Sequence, residues 1–181
     1  EAGSNLMEQI ETSIDEYGTL NLSNNNSCNW VRSYKKPINV YLDFVVLDSI
    51  EYRSTGDITT LDTIRMDSLH LDVREGAGEI RMAVKLGKLF CNLHYGTATI
   101  IMTGYSGLCF TYSASFGLIN NLGLETKFNY VTNKSSNDVY INAGVELNAQ
   151  INNIGNIYYT ASDTTSISLE QTSAGQLIRI E

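Results

Sequence analysis

The chain repeats itself about every twenty residues, and this period restricts the available folds more than any other feature. A small or polar residue, any residue and then Ile or Val recur as Gly56-Asp57-Ile58, Gly78-Glu79-Ile80, Ala98-Thr99-Ile100, Gly117-Leu118-Ile119, Asn137-Asp138-Val139 and Gly155-Asn156-Ile157, at spacings of 22, 20, 19, 20 and 18. A second element keeps the same beat: Ile50-Glu51-Tyr52, Leu69-His70-Leu71, Leu89-Phe90-Cys91, Leu108-Cys109-Phe110, Thr126-Lys127-Phe128, Leu147-Asn148-Ala149 and Ile167-Ser168-Leu169. Twenty residues is the size of one solenoid coil, a unit that buries its apolar face only against its neighbours.

Within each element apolar and polar residues alternate over about five positions before Gly, Asn, Ser or Asp interrupts, which is the pattern of a short strand with one buried face. Equivalent strands at this distance, with no hairpin dipeptide between neighbours, stack most naturally in parallel. The expected fold is all-β: a right-handed parallel β-helix of about 20 residues per coil over residues 46–181, preceded at 1–45 by an N-terminal cap and entry strands. The inward columns then read Ile50, Leu69, Leu89, Leu108, Thr126, Leu147 and Ile167, followed two positions on by Tyr52, Leu71, Cys91, Phe110, Phe128, Ala149 and Leu169. Val73, Leu93, Tyr112, Tyr130 and Ile151 extend this face, and Ile58, Ile80, Ile100, Ile119, Val139 and Ile157 form another wall. Glu51, His70, Phe90, Cys109, Lys127, Asn148 and Ser168 face outward. On this register Cys91 points in and Cys109 out, so a disulfide between them is not expected.

The N-terminal segment departs from the period. Ile10–Ile14 and Leu20–Leu22 read as strands and residues 38–44 alternate as another, while Cys28, the single Trp30 and Val31 are assigned to the cap. At the other end, the alternation Leu177–Ile180 is expected to cap the stack or to pair with a second chain.

Composition removes several function classes. A formal charge of −8, from 12 basic and 20 acidic residues, would repel a phosphate backbone, and no basic run offsets it locally, so nucleic acid is not an expected partner. No apolar stretch approaches the roughly 18–20 residues of a spanning helix. Three cysteines at spacings of 63 and 18 match neither a disulfide framework nor a metal or redox motif. His70 and His94 lack partners at zinc-ligand spacing and are read as structural. Nucleophile-elbow, phosphate-loop, zincin and EF-hand patterns are absent from the sequence, and no cofactor is expected.

Four segments carry a more specific likeness: residues 20–44 (LNLSNNNSCNWVRSYKKPINVYLDF), 50–58 (IEYRSTGDI), 71–80 (LDVREGAGEI) and 153–163 (NIGNIYYTASD). Together they resemble the head GIN domain of auto-transporter adhesins, along nearly the whole chain from about Leu20 to Ile180. The resemblance implies a β-helix without a catalytic consensus, exported to the periplasm, outer membrane or cell surface.

The reading that follows is a non-enzymatic adhesion module for a glycan or protein ligand, with Tyr105, Tyr140 and Tyr158 as exposed aromatics that could contact it. Two alternatives come from other classes. A polysaccharide lyase or hydrolase would need paired carboxylates or a bound cation, for which Asp57 and Glu79, on adjacent coils, are the one constellation present, with Arg74 or Arg81 as base or clamp. A structural module would use an open end or a lateral sheet to form homo-oligomers.

Overall fold

The computed structural model describes residues 8–25 and 38–181. The chain divides into two compact units, Glu1–Val45 and Val46–Glu181. In the first, β1 (Ile10–Ile14) and β2 (Leu20–Asn24) pair antiparallel. Asp15 sets their turn: its Oδ1 accepts the backbone N–H groups of Tyr17 and Thr19, both at 2.9 Å. Residues 38–44 form no strand despite their alternation, because an alternating segment becomes a strand only when another edge satisfies its backbone. Cys28, Trp30 and Val31 lie outside the described residues.

The second unit is a parallel β-solenoid of about seven coils. Its strands are β3 (Ser49–Tyr52), β4 (Ile58–Thr59), β5 (Ile64–Val73), β6 (Glu79–Leu93), β7 (Thr99–Ser113), β8 (Leu118–Asn133), β9 (Val139–Ile151), β10 (Ile157–Ala161), β11 (Ser166–Gln171) and β12 (Leu177–Arg179). Every pairing in this unit is parallel, and the final alternation is itself a rung, with Leu177 beside Ile157. Each long strand serves two walls. Where it turns from one to the other, two successive residues face outward instead of one, as at Gly87-Lys88, Gly107-Leu108 and Lys127-Phe128.

The first wall follows the expected column: Ile80, Ile100, Ile119, Val139 and Ile157 are fully buried and in register. On the second wall the expected register is two residues out at β3, where Ile50 pairs with Leu71 and Tyr52 with Val73, and one residue out over β7 and β8. Leu89 pairs with Cys109 and Cys109 with Asn129, so Cys109, Thr111 and Ser113 point inward, as do Asn129, Val131 and Asn133. Leu108, Phe110, Tyr112, Phe128 and Tyr130, expected inside, are outside. Thr126 is buried, but at the corner beside Ser106 rather than in the Leu147 column. The reason is coil length. A constant 20-residue step from Leu69 to Leu89, Cys109 and Asn129 keeps the backbone ladder unbroken, and the ladder outweighs the gain from burying the larger side chains.

Cys91 and Cys109 therefore share the interior, both free and fully buried. They sit diagonally, since Cys91 pairs with Thr111. With about 4.8 Å between strands and about 3.3 Å per residue along them, this diagonal is about 8 Å between Cα atoms, beyond disulfide reach. The expected lack of a bridge thus rests on diagonal spacing, not on opposite faces. Burial raises the Cys109 thiol to about 11 and moves Cys91 further the same way. Since the thiolate is the reactive form, a thiol reagent at pH 8 is expected to label at most one of the three cysteines in native protein and all three after denaturation, counted by mass spectrometry. Native labelling of Cys91 or Cys109 would contradict the buried placement.

Candidate functional site

Asp57 and Glu79 do lie at matching positions on adjacent coils, one residue before the paired Ile58 and Ile80. Three of their four carboxylate oxygens are already engaged. Asp57 Oδ1 accepts the Glu79 backbone N–H at 2.8 Å. Both Glu79 oxygens face Arg81, with Nη2 2.8 Å from Oε2 and Nε against Oε1, and this partner raises the guanidinium pKa. The Asp57 contact recurs further along: Asp138 Oδ1 accepts from Asn156 N at 2.8 Å, and Asn156 Oδ1 from Gln176 N at 2.9 Å. At three of the six repeats, Asp57, Asp138 and Asn156, the middle residue therefore ties one coil to the next, a structural task that accounts for its acidic or amide character there. Among the described residues no three His, Cys, Asp or Glu side chains are grouped to hold a metal ion.

The three tyrosines separate. Tyr140 and Tyr158 are in register on the first wall and stack at 5.0 Å with ring planes 11° apart. Partial burial, with Asp138 and Tyr158 nearby, raises the Tyr140 hydroxyl pKa. Tyr105 lies nearer the corner, in register with Lys85 and Glu125. There it lines an open groove of about 480 Å³ whose other walls come from residues 125–127, 142–144 and 160–162.

The most extensive surface feature is on the second wall. His70, Phe90, Phe110 and Tyr130 occupy one outward column and form a continuous stack, with centroid steps of 4.1, 4.9 and 5.1 Å and ring planes within 21° of parallel. Lys88, Leu108 and Phe128 run along one side; Asp72, Asn92, Tyr112 and Thr132 run along the other. His94 Nε2 lies 3.1 Å from Asp72 Oδ1, and Lys134 Nζ stands 5.7 Å from the centre of the Tyr112 ring. On β9 and β11 the same columns change to Glu146, Asn148 and Gln150, then Ser166, Ser168 and Glu170. These polar side chains form a lattice: Thr132 Oγ1 donates to Gln150 Oε1 at 3.2 Å, and Gln150 Nε2 to Glu170 Oε2 at 3.1 Å.

A stack of this kind turns ring faces toward each other and ring edges toward solvent. The edge carries the positive rim of the aromatic quadrupole, so the band presents both apolar area and weak attraction for oxygen. His70 and Phe90 were expected to face out. The expected register puts Phe110 and Tyr130 in the core and so hides the rest of the ladder. The spacing held a signal that could have found it: a constant step of 20 residues links His70, Phe90, Phe110 and Tyr130.

These features define a parallel β-solenoid whose distinctive side chains lie on its outer walls and along one corner. By sequence the chain belongs to the family described as putative auto-transporter adhesin, head GIN domain, whose model matches residues 1–162. Among solved structures it is similar to a protein of Bacteroides fragilis described as a putative adhesin, at 22% identity and a TM-score of 0.79, over 97% of this chain and 78% of that one. At that identity the likeness shows the fold alone. No curated protein matches. Membership of an auto-transporter adhesin family suggests an exported or surface protein with a binding partner, and among the described residues no helix is long and apolar enough to cross a membrane.

Proposed function

We propose that the chain is a non-enzymatic binding module of the bacterial cell envelope or cell surface and that its ligand is an extended glycan lying along the second wall, parallel to the solenoid axis. One observation carries this reading: a stacked aromatic band continues, in the same columns, into a field of amide, hydroxyl and carboxylate groups. A glycan strand has the matching groups, with C–H patches for the apolar area of the band, ring and hydroxyl oxygens for its ring edges, and hydroxyls for Asn148, Gln150 and Glu170. Rigid strands hold these groups, so little ordering is needed on binding. The engagement of Asp57 and Glu79 in coil-to-coil and ion-pair contacts argues against the lyase or hydrolase reading.

The test is a glycan array probed with wild-type protein and with Phe110→Ala/Tyr130→Ala. Wild type is expected to retain a set of glycans, and the double variant to bind them at least about tenfold more weakly, a loss of about 1.4 kcal/mol. Its melting temperature should fall by several degrees with the two lost ring contacts and the fold should persist, because both rings are outward. Folded wild type that retains no glycan, or a double variant that binds as well as wild type, would overturn the proposal. Retention of a protein ligand alone counts against it equally.

A further inference from the structure

We infer that the groove beside Tyr105 is a second binding site, specific for a single neutral pyranose unit and independent of the aromatic ladder. The groove arises from an irregularity in coil length. Asn121 pairs with Ile141 and the next pair is Thr126 with Ala143, so four residues of β8 lie opposite one of β9. From Ile119 to Val139 the step is 20 residues, and from Val139 to Ile157 it is 18. The shortfall is in β9, where Val139 to Leu147 is 8 residues against 10 from Ile119 to Asn129 in β8 and 10 from Ile157 to Ile167 in the next coil, so the β9 corner is recessed between its neighbours and leaves a step. The resulting volume of about 480 Å³ lies within the roughly 300–1,000 Å³ usual for small-ligand sites.

The lining matches a polyol. Tyr105 supplies an aromatic surface for a C–H face, Glu125 an acceptor, Lys127 a donor, and Thr160, Ser162 and Asn142 further polar groups. One acid and one base cancel here, in a chain of net charge −8, so a neutral ligand meets no repulsion while a charged one meets a like charge. The floor is held in place by its own hydrogen bonds. Thr126 Oγ1 donates to Asn142 O at 2.7 Å, Asn129 Nδ2 donates to Thr126 Oγ1 at 2.7 Å, and Asn142 Nδ2 donates to Leu122 O at 3.1 Å. Asn129 is buried, yet its Oδ1 has no partner. At this corner the interior takes in Ser106, Thr126 and Asn129, the last in a column that otherwise carries Leu89, Cys109 and Leu147, and such held polar groups are what a preorganised polar site requires.

The experiment is a titration of the isotope-labelled chain with the methyl glycosides of glucose, mannose, galactose and N-acetylglucosamine, followed by amide chemical shifts. At least one is expected to give saturable shifts confined to residues near 105, 125–127, 142–144 and 160–162. Tyr105→Ala should weaken that binding at least tenfold, and Phe110→Ala should leave it unchanged. Lys127→Ala, at an exposed side chain, reads a severalfold loss if the tyrosine variant folds poorly. No saturable shift with any of the four, or shifts confined to the ladder wall, would overturn the inference. So would affinity unchanged in both Tyr105→Ala and Lys127→Ala. Because the ladder reading is tested by Phe110→Ala/Tyr130→Ala on polymeric glycans, either proposal can fail while the other stands.

Discussion

Cys109→Asp is expected to abolish the cooperative fold, while Phe110→Asp, one residue along the same strand, leaves it standing. Cys109 is fully buried between Leu89 and Asn129 on the adjoining coils, and no cationic side chain shares those columns. An aspartate there must either remain charged without a partner or take up a proton and leave a carboxyl group largely unbonded. Breaking an ion pair to leave a buried charge costs about 3–5 kcal/mol, and creating an unpaired one is at least comparable. A domain of this kind has about 5–15 kcal/mol in all. Phe110→Asp loses two ring contacts, each about 0.5–1.5 kcal/mol, and places its charge in solvent. Circular dichroism during urea unfolding distinguishes them: a cooperative transition should persist in Phe110→Asp and be lost, or move to much lower urea, in Cys109→Asp. The opposite ranking would restore the register in which Leu108 and Phe110 fill the core.

That pair of residues also marks where the sequence stopped being legible. Periodicity revealed the solenoid, its coil length and the first wall, because Ile80, Ile100, Ile119, Val139 and Ile157 combine large apolar side chains with inward positions. On the second wall these two cues conflict. Sequence reading assigns large apolar residues to the interior, but the backbone ladder fixes strand position, and a one-residue slip exchanges the two faces. The interior of β7 and β8 accepts Cys109, Thr111, Ser113, Asn129 and Asn133, several with internal hydrogen bonds: Asn133 Nδ2 donates to Asn137 O at 3.0 Å, and Asn129 to Thr126. The displaced aromatics gain stacking partners on the outside instead.

The candidate site was legible to the same extent. Tyr105, Tyr140 and Tyr158 fall opposite inward residues by register, and Tyr140 and Tyr158 lie on the first wall between buried neighbours. Their separation into a stacked pair and a groove-lining residue follows from the coil-length change after β8, visible in the sequence only as a spacing of 18. Asp57 and Glu79 were found as neighbours, but their engagement depends on a backbone N–H and on Arg81, which column reading does not weigh. The polar continuation of the aromatic ladder across Asn148 and Gln150 becomes apparent only once Phe110 and Tyr130 are placed outside.

Gly104 is where backbone geometry and the groove meet, and Gly104→Ala is expected to cost about 3 kcal/mol or more. Its φ is +104°, and a Cβ there would lie 2.1 Å from the Val84 carbonyl oxygen. Forcing an L residue into such a conformation costs on the order of 1–3 kcal/mol by itself. The clash adds to this, because its partner is backbone of the adjacent coil, which can yield only by disturbing the Val84–Gly104–Leu124 pairing. Gly56→Ala is the contrasting case: its nearest neighbour would be Ser54 Oγ at 3.9 Å and its φ is ordinary, so the change should be neutral or slightly stabilising. Urea midpoints at unchanged m-value give the comparison. Tyr105 follows Gly104 directly, so a shifted backbone here also moves the aromatic side of the groove. The alanine variant should therefore weaken glycoside-induced shifts near 125–127 under conditions where it remains folded, while glycan retention by the ladder, which lies on the other wall, changes much less. Equal stability of Gly104→Ala and wild type would mean that the corner does not have this backbone, and the step on which the groove depends would have to be redrawn.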